Sequence, residues 1–164
     1  MATLNQALAT AAVALTIPAA AGLTAAAPAA ASATHQVSLF ARMHSCDFQP
    51  VEYAGFHSMP ARIAAEITSD GHTAVAHVDM TIGTANAQYV VRLIPAPHST
   101  LGCLAGDPSI TTGSLSTDMG GSGSTTLQAP IGPGTTGMWI AVDLPVPHTQ
   151  APREFYSSDF IASV

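Results

Sequence analysis

Seven histidines, two cysteines and ten carboxylates are the residues of this chain that could do chemistry, and their spacing decides which chemistry is open to them. A copper or zinc site on a β-protein would show close ligands such as His-x-His along one strand, and none is present. His72 and His77 lie on opposite sides of a junction between a turn and a strand. His77 falls on a polar strand face beside Glu66 or Asp79, where a solvated imidazole is the simple reading. His44 and His57 flank the segment around Cys46 and could approach each other, but no spacing fixes it. A metal pair of His44 and Cys46 lacks a Cys-x-x-Cys or a clustered histidine pattern. Gly120-Gly121-Ser122-Gly123-Ser124 misses the Gly-x-Ser-x-Gly elbow, and its surroundings read strand-turn-strand where that elbow requires strand-turn-helix. The acids form no recognisable acid and base pair, and there is no phosphate-cradling loop with a lysine. No catalytic residue, metal ligand or cofactor is assigned, and the chain is expected not to be an enzyme.

The cysteines belong with the leader. Residues 1–41 carry no Asp, Glu, Lys or Arg, and Ala7 to Ala33 is an alanine-rich apolar run closing in Ala31-Ser32-Ala33. That is the apolar core and small-residue cleavage site of a secretory signal peptide, although Lys or Arg is missing from its start. A membrane anchor is the rival reading; Pro18, Pro28 and the weakly hydrophobic alanines make a poor spanning helix. The expected organisation is a signal peptide over 1–33 and one secreted domain over 34–164, outside the cell or in its envelope. No further apolar run is long enough to cross a bilayer. In an oxidising compartment Cys46 and Cys103 are expected to pair, a cross-link worth on the order of 4 kcal/mol in the chain-entropy model. The formal charge is −6, with four Arg and no Lys, so a basic nucleic-acid footprint is absent and the partner is expected to be an envelope or extracellular one. Protonating all seven histidines would take the chain to +1, a reversal that would ease association with anionic surfaces.

The elements that must position these residues are strands. From Ala61 to Ile82 the sequence reads as a hairpin: Ile63, Ala65 and Ile67 alternate with polar residues, then Ala74, Ala76, Val78, Met80 and Ile82 do the same. With Asp70-Gly71 as the central pair of the turn, Ile63 faces Val78, Ala65 faces Ala76, Ile67 faces Ala74 and Arg62 faces Asp79. Val37, Leu39 and Phe40 suggest a short first strand and Val51 to Phe56 another. Gln88 to Ile94 reads as a buried strand ended by Pro95 and Pro97. Ser114 to Thr117, Ser124 to Ile131 and Met138 to Leu144 follow. Phe155 to Val164 closes the chain, with Tyr156, Phe160, Ala162 and Val164 sharing a face. Trp139 stands opposite Met138, Ile140 and Val142, either filling a second layer or exposed as a binding anchor. Arg153-Glu154-Phe155-Tyr156 reads as an edge strand protected by charge. The sum is an all-β protein of seven to eight strands, an antiparallel β-sandwich of immunoglobulin-like or prealbumin-like type.

The alanine-rich leader, the Cys46 and Cys103 pair, Thr117-Asp118 with its glycine-rich turn, Pro-Gly-Thr-Thr-Gly-Met-Trp (133–139) and Glu-Phe-Tyr-Ser-Ser-Asp-Phe (154–160) resemble small exported mycobacterial proteins of uncharacterised function. The resemblance covers nearly all of the expected mature chain and implies a sandwich fold, with no catalytic residue to carry over. The functional expectation is a secreted, non-enzymatic binding module whose binding residues are unknown. The alternatives are a carrier of a small apolar ligand held between the sheets and a histidine-based metal-binding protein.

Overall fold

A computed structural model describes residues 32–52, 60–149 and 151–164. The expected leader lies outside the described residues apart from Ser32 and Ala33, as do His57 and most of the strand expected from Val51 to Phe56. The described chain is all-β, without a helix, so no helix among these residues is long and apolar enough to cross a membrane. Eleven strand segments replace the expected seven or eight. They are β1 (Ala33–Phe40), β2 (Met43–His44), β3 (Pro50–Val51), β4 (Arg62–Ser69), β5 (Thr73–Thr81), β6 (Gln88–Ala96), β7 (Thr111–Ser116), β8 (Gly123–Pro130), β9 (Gly137–Leu144), β10 (Glu154–Ser158) and β11 (Ala162–Ser163).

Apart from a small β2-β3 ribbon, the strands form one antiparallel sheet in the order β7-β6-β9-β10-β1-β4-β5-β8, with β11 added to β9. The sheet curls until its edges meet, so the antiparallel class holds and the shape is a nearly closed barrel. At the meeting edges a Cβ on Gly113 of β7 would touch the Leu127 side chain of β8 at 3.3 Å. The inward residues of every long strand then share one core: Val37, Ile67, Val78, Tyr89, Leu115 and Ile140 are among its members. Alternating sequence puts one face inside and leaves Ser, Thr and charged residues outside, which is how a half-buried sheet solves its solvation.

The hairpin keeps its faces as far as Met80, while Ile82, beyond the end of β5 at φ 59°, is 53% exposed instead of inward, and the register changes. Ile63 lies opposite Met80, Ala65 opposite Val78, Ile67 opposite Ala76 and Arg62 opposite Thr81, so the expected Arg62 and Asp79 pair does not form across the ladder. The turn explains the two-residue offset. Asp70 donates its N–H to Thr73 O at 3.2 Å, leaving Gly71-His72 as the central pair, with Gly71 at φ 81°. Asp70 stands one place earlier because its carboxylate accepts the N–H groups of His72 and Thr73 at 2.8 and 2.7 Å, a side-chain turn of the kind aspartate favours. An offset of two leaves inward residues inward, so alternation could not detect it.

Three further expectations change. Pro95 does not end β6, which continues to Ala96 against β9; on its other side the ladder with β7 has already stopped at Leu93, where a missing N–H breaks no pairing. The final strand is two strands. β10 and β11 pair with β9 in registers offset by two residues, and the Ser158 hydroxyl bonds the Ile140 N–H at 2.8 Å where the ladder is interrupted. Phe160 falls in that interruption and is exposed instead of sharing the face of Tyr156 and Ala162. β10 is no edge either: it lies between β9 and β1, so the charges beside it do not protect an edge.

Candidate functional site

β9 is buried on both faces, because its outer side is covered as well as its inner one. Met138, Ile140, Val142 and Leu144 enter the barrel core, while Trp139 and Ala141 join Ile94 and Ala96 of β6 in a second, smaller apolar cluster outside it. Trp139, 1% exposed, thus fills a second layer. What covers it is a strap of two connections, residues 41–52 after β1 and 97–110 between β6 and β7. Cys46 and Cys103 join them in a disulfide with Cα atoms 5.5 Å apart, as expected. Phe48 completes the cover; it stacks on the His44 ring at 4.2 Å and meets Trp139 edge-on at 5.3 Å.

His44 and Ser157 form the first polar element. His44 Nδ1 lies 2.7 Å from Ser157 Oγ, and that hydroxyl donates to the Arg42 carbonyl at 2.6 Å. A hydroxyl has one proton to give, so Nδ1–H of His44 is the donor to Ser157. Burial, then the charge of Arg42, lowers the His44 pKa, which favours the neutral ring with its second nitrogen as acceptor. Ser157 is therefore not activated as a nucleophile: its proton is committed to a carbonyl and no base receives it.

Arg92 of β6 and Asp143 of β9 form the second element. Val90 stands opposite Asp143 and Arg92 opposite Ala141, so the two charges are diagonal neighbours, and they make a direct ion pair. Arg92 also donates from Nη1 to the Cys103 carbonyl at 2.6 Å, tying the strap to the pair. Burial pushes the Asp143 carboxyl upward against the pull of Arg92. Two adjoining cavities open here. One, of about 220 Å³, runs from His44 and Ser157 past Trp139 to Arg92 and Asp143. Its neighbour, of about 320 Å³, continues between Val90, Leu104, Val146 and Ala151, and the two share Arg92, Leu104, Asp143 and Pro152. Together they make a groove whose walls are mostly apolar, with Arg42, His44 and Ser157 at one end and one ion pair on its floor.

Among the described residues the other histidines do not converge on one another. His77 is exposed, 3.4 Å from Asp79 and opposite Glu66; His98 bonds Ser109 at 2.9 Å and His35 bonds Ser163 at 3.1 Å. Among the described residues no three His, Cys, Asp or Glu side chains are placed to share a metal ion. Cys46, half of the weighed His44 and Cys46 metal pair, is held in the disulfide.

Sequence reasoning missed Arg92, Asp143 and Ser157 as neighbours. A signal was there for the ion pair: each charge interrupts an otherwise apolar strand, Val90-Val91-Arg92-Leu93 and Ile140-Ala141-Val142-Asp143-Leu144. Opposite charges in two buried strands want each other as partners.

Fold and site define a class, an all-β barrel-like protein with a disulfide-fastened strap walling an external groove. Compared with family models, curated proteins and solved structures, the chain matches none.

Proposed function

We propose that the chain is a non-enzymatic binding module of the extracellular space or cell envelope, and that the groove over the outer face of β6 and β9 is its recognition surface. The observation that carries this reading is the pair of adjoining cavities, mostly apolar in their walls, with the Arg92 and Asp143 ion pair on the shared floor. Ligand sites have this composition: apolar lining gives affinity, and a few placed polar groups give orientation. The committed proton of Ser157 favours binding over acyl transfer. The groove also relocates the carrier alternative to the outside. A cavity that reaches the inward residues Leu93, Ala129 and Met138 holds about 70 Å³. Export, a cleaved leader and kinship with immunoglobulin-like or prealbumin-like sandwiches rest on the sequence resemblance and on a disulfide suited to an oxidising compartment.

Amide chemical-shift mapping with a library of small apolar fragments, each bearing one hydrogen-bonding head group, tests the reading. Hits are expected to move Ala105, Val146 and the Trp139 indole N–H together, and to lose affinity in Asp143→Ala. Shifts concentrated on another face, or none at all, overturn it.

A further inference from the structure

We propose that the strap is a redox-released cover: reducing Cys46–Cys103 frees residues 41–52 and 97–110 from the outer face of β6 and β9, dismantling the groove while the barrel stays folded. As regulation of binding this rests on the groove being the recognition surface; the release itself does not.

The apolar contacts carry the argument. No residue of the strap belongs to the barrel core. Its anchorage is the small outer cluster, to which it contributes Cys46 and Cys103, with Phe48 and Ile110 partly buried against them. Two large apolar residues of the second segment face water instead: Leu101 is 79% and Leu104 74% exposed. The strap's polar contacts run mostly within it. Cys46 N–H donates to Thr100 O at 3.3 Å, Thr100 to Asp47 at 2.9 Å, and Ser45 to Gln49 O at 3.1 Å. Toward the barrel run the Ser157 contacts and the Arg92 bond to the Cys103 carbonyl. Among the described residues these few docked groups hold the two connections, and the disulfide limits the freedom of both.

The same bond places the groove floor. The disulfide fixes the Cys103 carbonyl, that carbonyl holds one amino group of Arg92, and the other amino group pairs with Asp143. Both cysteines are buried, 8% and 4% exposed, and line the smaller groove cavity, and Cys46 also borders a further cavity of about 420 Å³; these cavities are the route by which a reductant would meet the disulfide. The reductant is a dithiol. One of its thiolates attacks a cystine sulfur, giving a mixed disulfide and one protein thiolate; the second thiolate then displaces the other protein sulfur. Cys46 and Cys103 each take up a proton, and the dithiol leaves as its own disulfide.

Trp139, the single tryptophan, lies beneath the disulfide and reports on it. The oxidised full chain is treated with dithiothreitol and followed by fluorescence, far-ultraviolet circular dichroism and limited proteolysis. Reduction is expected to relieve disulfide quenching, shift the emission to the red and open cleavage within 41–52 and 97–110. The β-signal should persist with a cooperative urea transition at a lower midpoint. Loss of the β-signal together with the Trp139 change, or a Trp139 that keeps its blue, protected emission after the thiols are titrated, overturns the proposal. Because the folded protein is reduced in place, a Cys46→Ala/Cys103→Ala variant that fails to fold leaves the test standing. Fragments that bind equally well after the strap is released would overturn the groove as recognition surface and leave the release intact.

Discussion

Glu154 shows how far a side chain's surroundings can depart from its neighbours in sequence. Its carboxylate, 8% exposed, accepts hydroxyl bonds from Tyr89 at 2.8 Å, Tyr156 at 3.0 Å and Thr84. Three O–H donors replace the water that burial removes, which is the condition for keeping a carboxylate inside. The arrangement costs the tyrosines their acidity. Burial, then the adjacent Glu154, raises the pKa of both phenols above the ordinary 10.0. Above that value the unfolded chain gives up these protons and the folded chain keeps them, so stability is complete below about pH 10 and falls as pH rises further. Each tyrosine contributes a slope of up to about 1.4 kcal/mol per pH unit. Urea unfolding at a series of alkaline pH values should show this decline. In Tyr89→Phe/Tyr156→Phe it should flatten, on a protein weakened by about 1–3 kcal/mol per lost bond at neutral pH.

At the scale of elements, glycines separate what a turn requires from what closure requires. Gly71 needs positive φ for its own turn, which is exposed. Gly71→Ala is expected to cost about 1 kcal/mol. Gly123 opens β8 with its backbone against β7, where a Cβ would lie inside the van der Waals radius of the Ser116 carbonyl oxygen. Neither strand can yield without parting the edges that nearly close the barrel. Gly123→Ala is expected to cost more, about 1–3 kcal/mol by the usual penalty for overpacking. Comparing the two urea midpoints checks the ranking; equal losses would mean that the β7 and β8 edges are not tightly apposed.

For the whole molecule the governing quantity is charge, since −6 is carried with four arginines and seven histidines. As pH falls the imidazoles titrate before most carboxylates, and the sequence isoelectric point is about 5.4. Half-buried His44, with its pKa lowered by burial and then by Arg42, protonates later than an ordinary imidazole. Electrophoretic mobility should therefore reverse sign near or slightly below that isoelectric point. Co-sedimentation with anionic vesicles at low ionic strength is expected to rise on acidification. Vesicle binding that stays flat removes the surface-association hypothesis while leaving the mobility result in place.

The sequence by itself determined most of the residues that face inward, because a strand repeats every two residues and that period is local; Ile82 and Phe160, where strands end, are exposed instead. Ile63, Val78, Met138 and Ile140 could be assigned to a core without knowing what they touch. It also left one possible intramolecular pairing for the two cysteines, and the structure forms that bond. Only the tertiary structure decided the rest. A register offset of two leaves every face unchanged, so the side-chain bonding of Asp70 chose between Val78 and Met80 as the partner of Ile63. β10 sits between β9 and β1, and that long-range pairing buried Glu154 where local composition suggested a charged edge. The groove is the furthest from local reading. Arg92 and Asp143 meet across β6 and β9, and Cys103 reaches them through a strap that the sequence marks only as turn material. Periodicity is a property of neighbours along the chain, and a binding surface is a property of strands brought side by side.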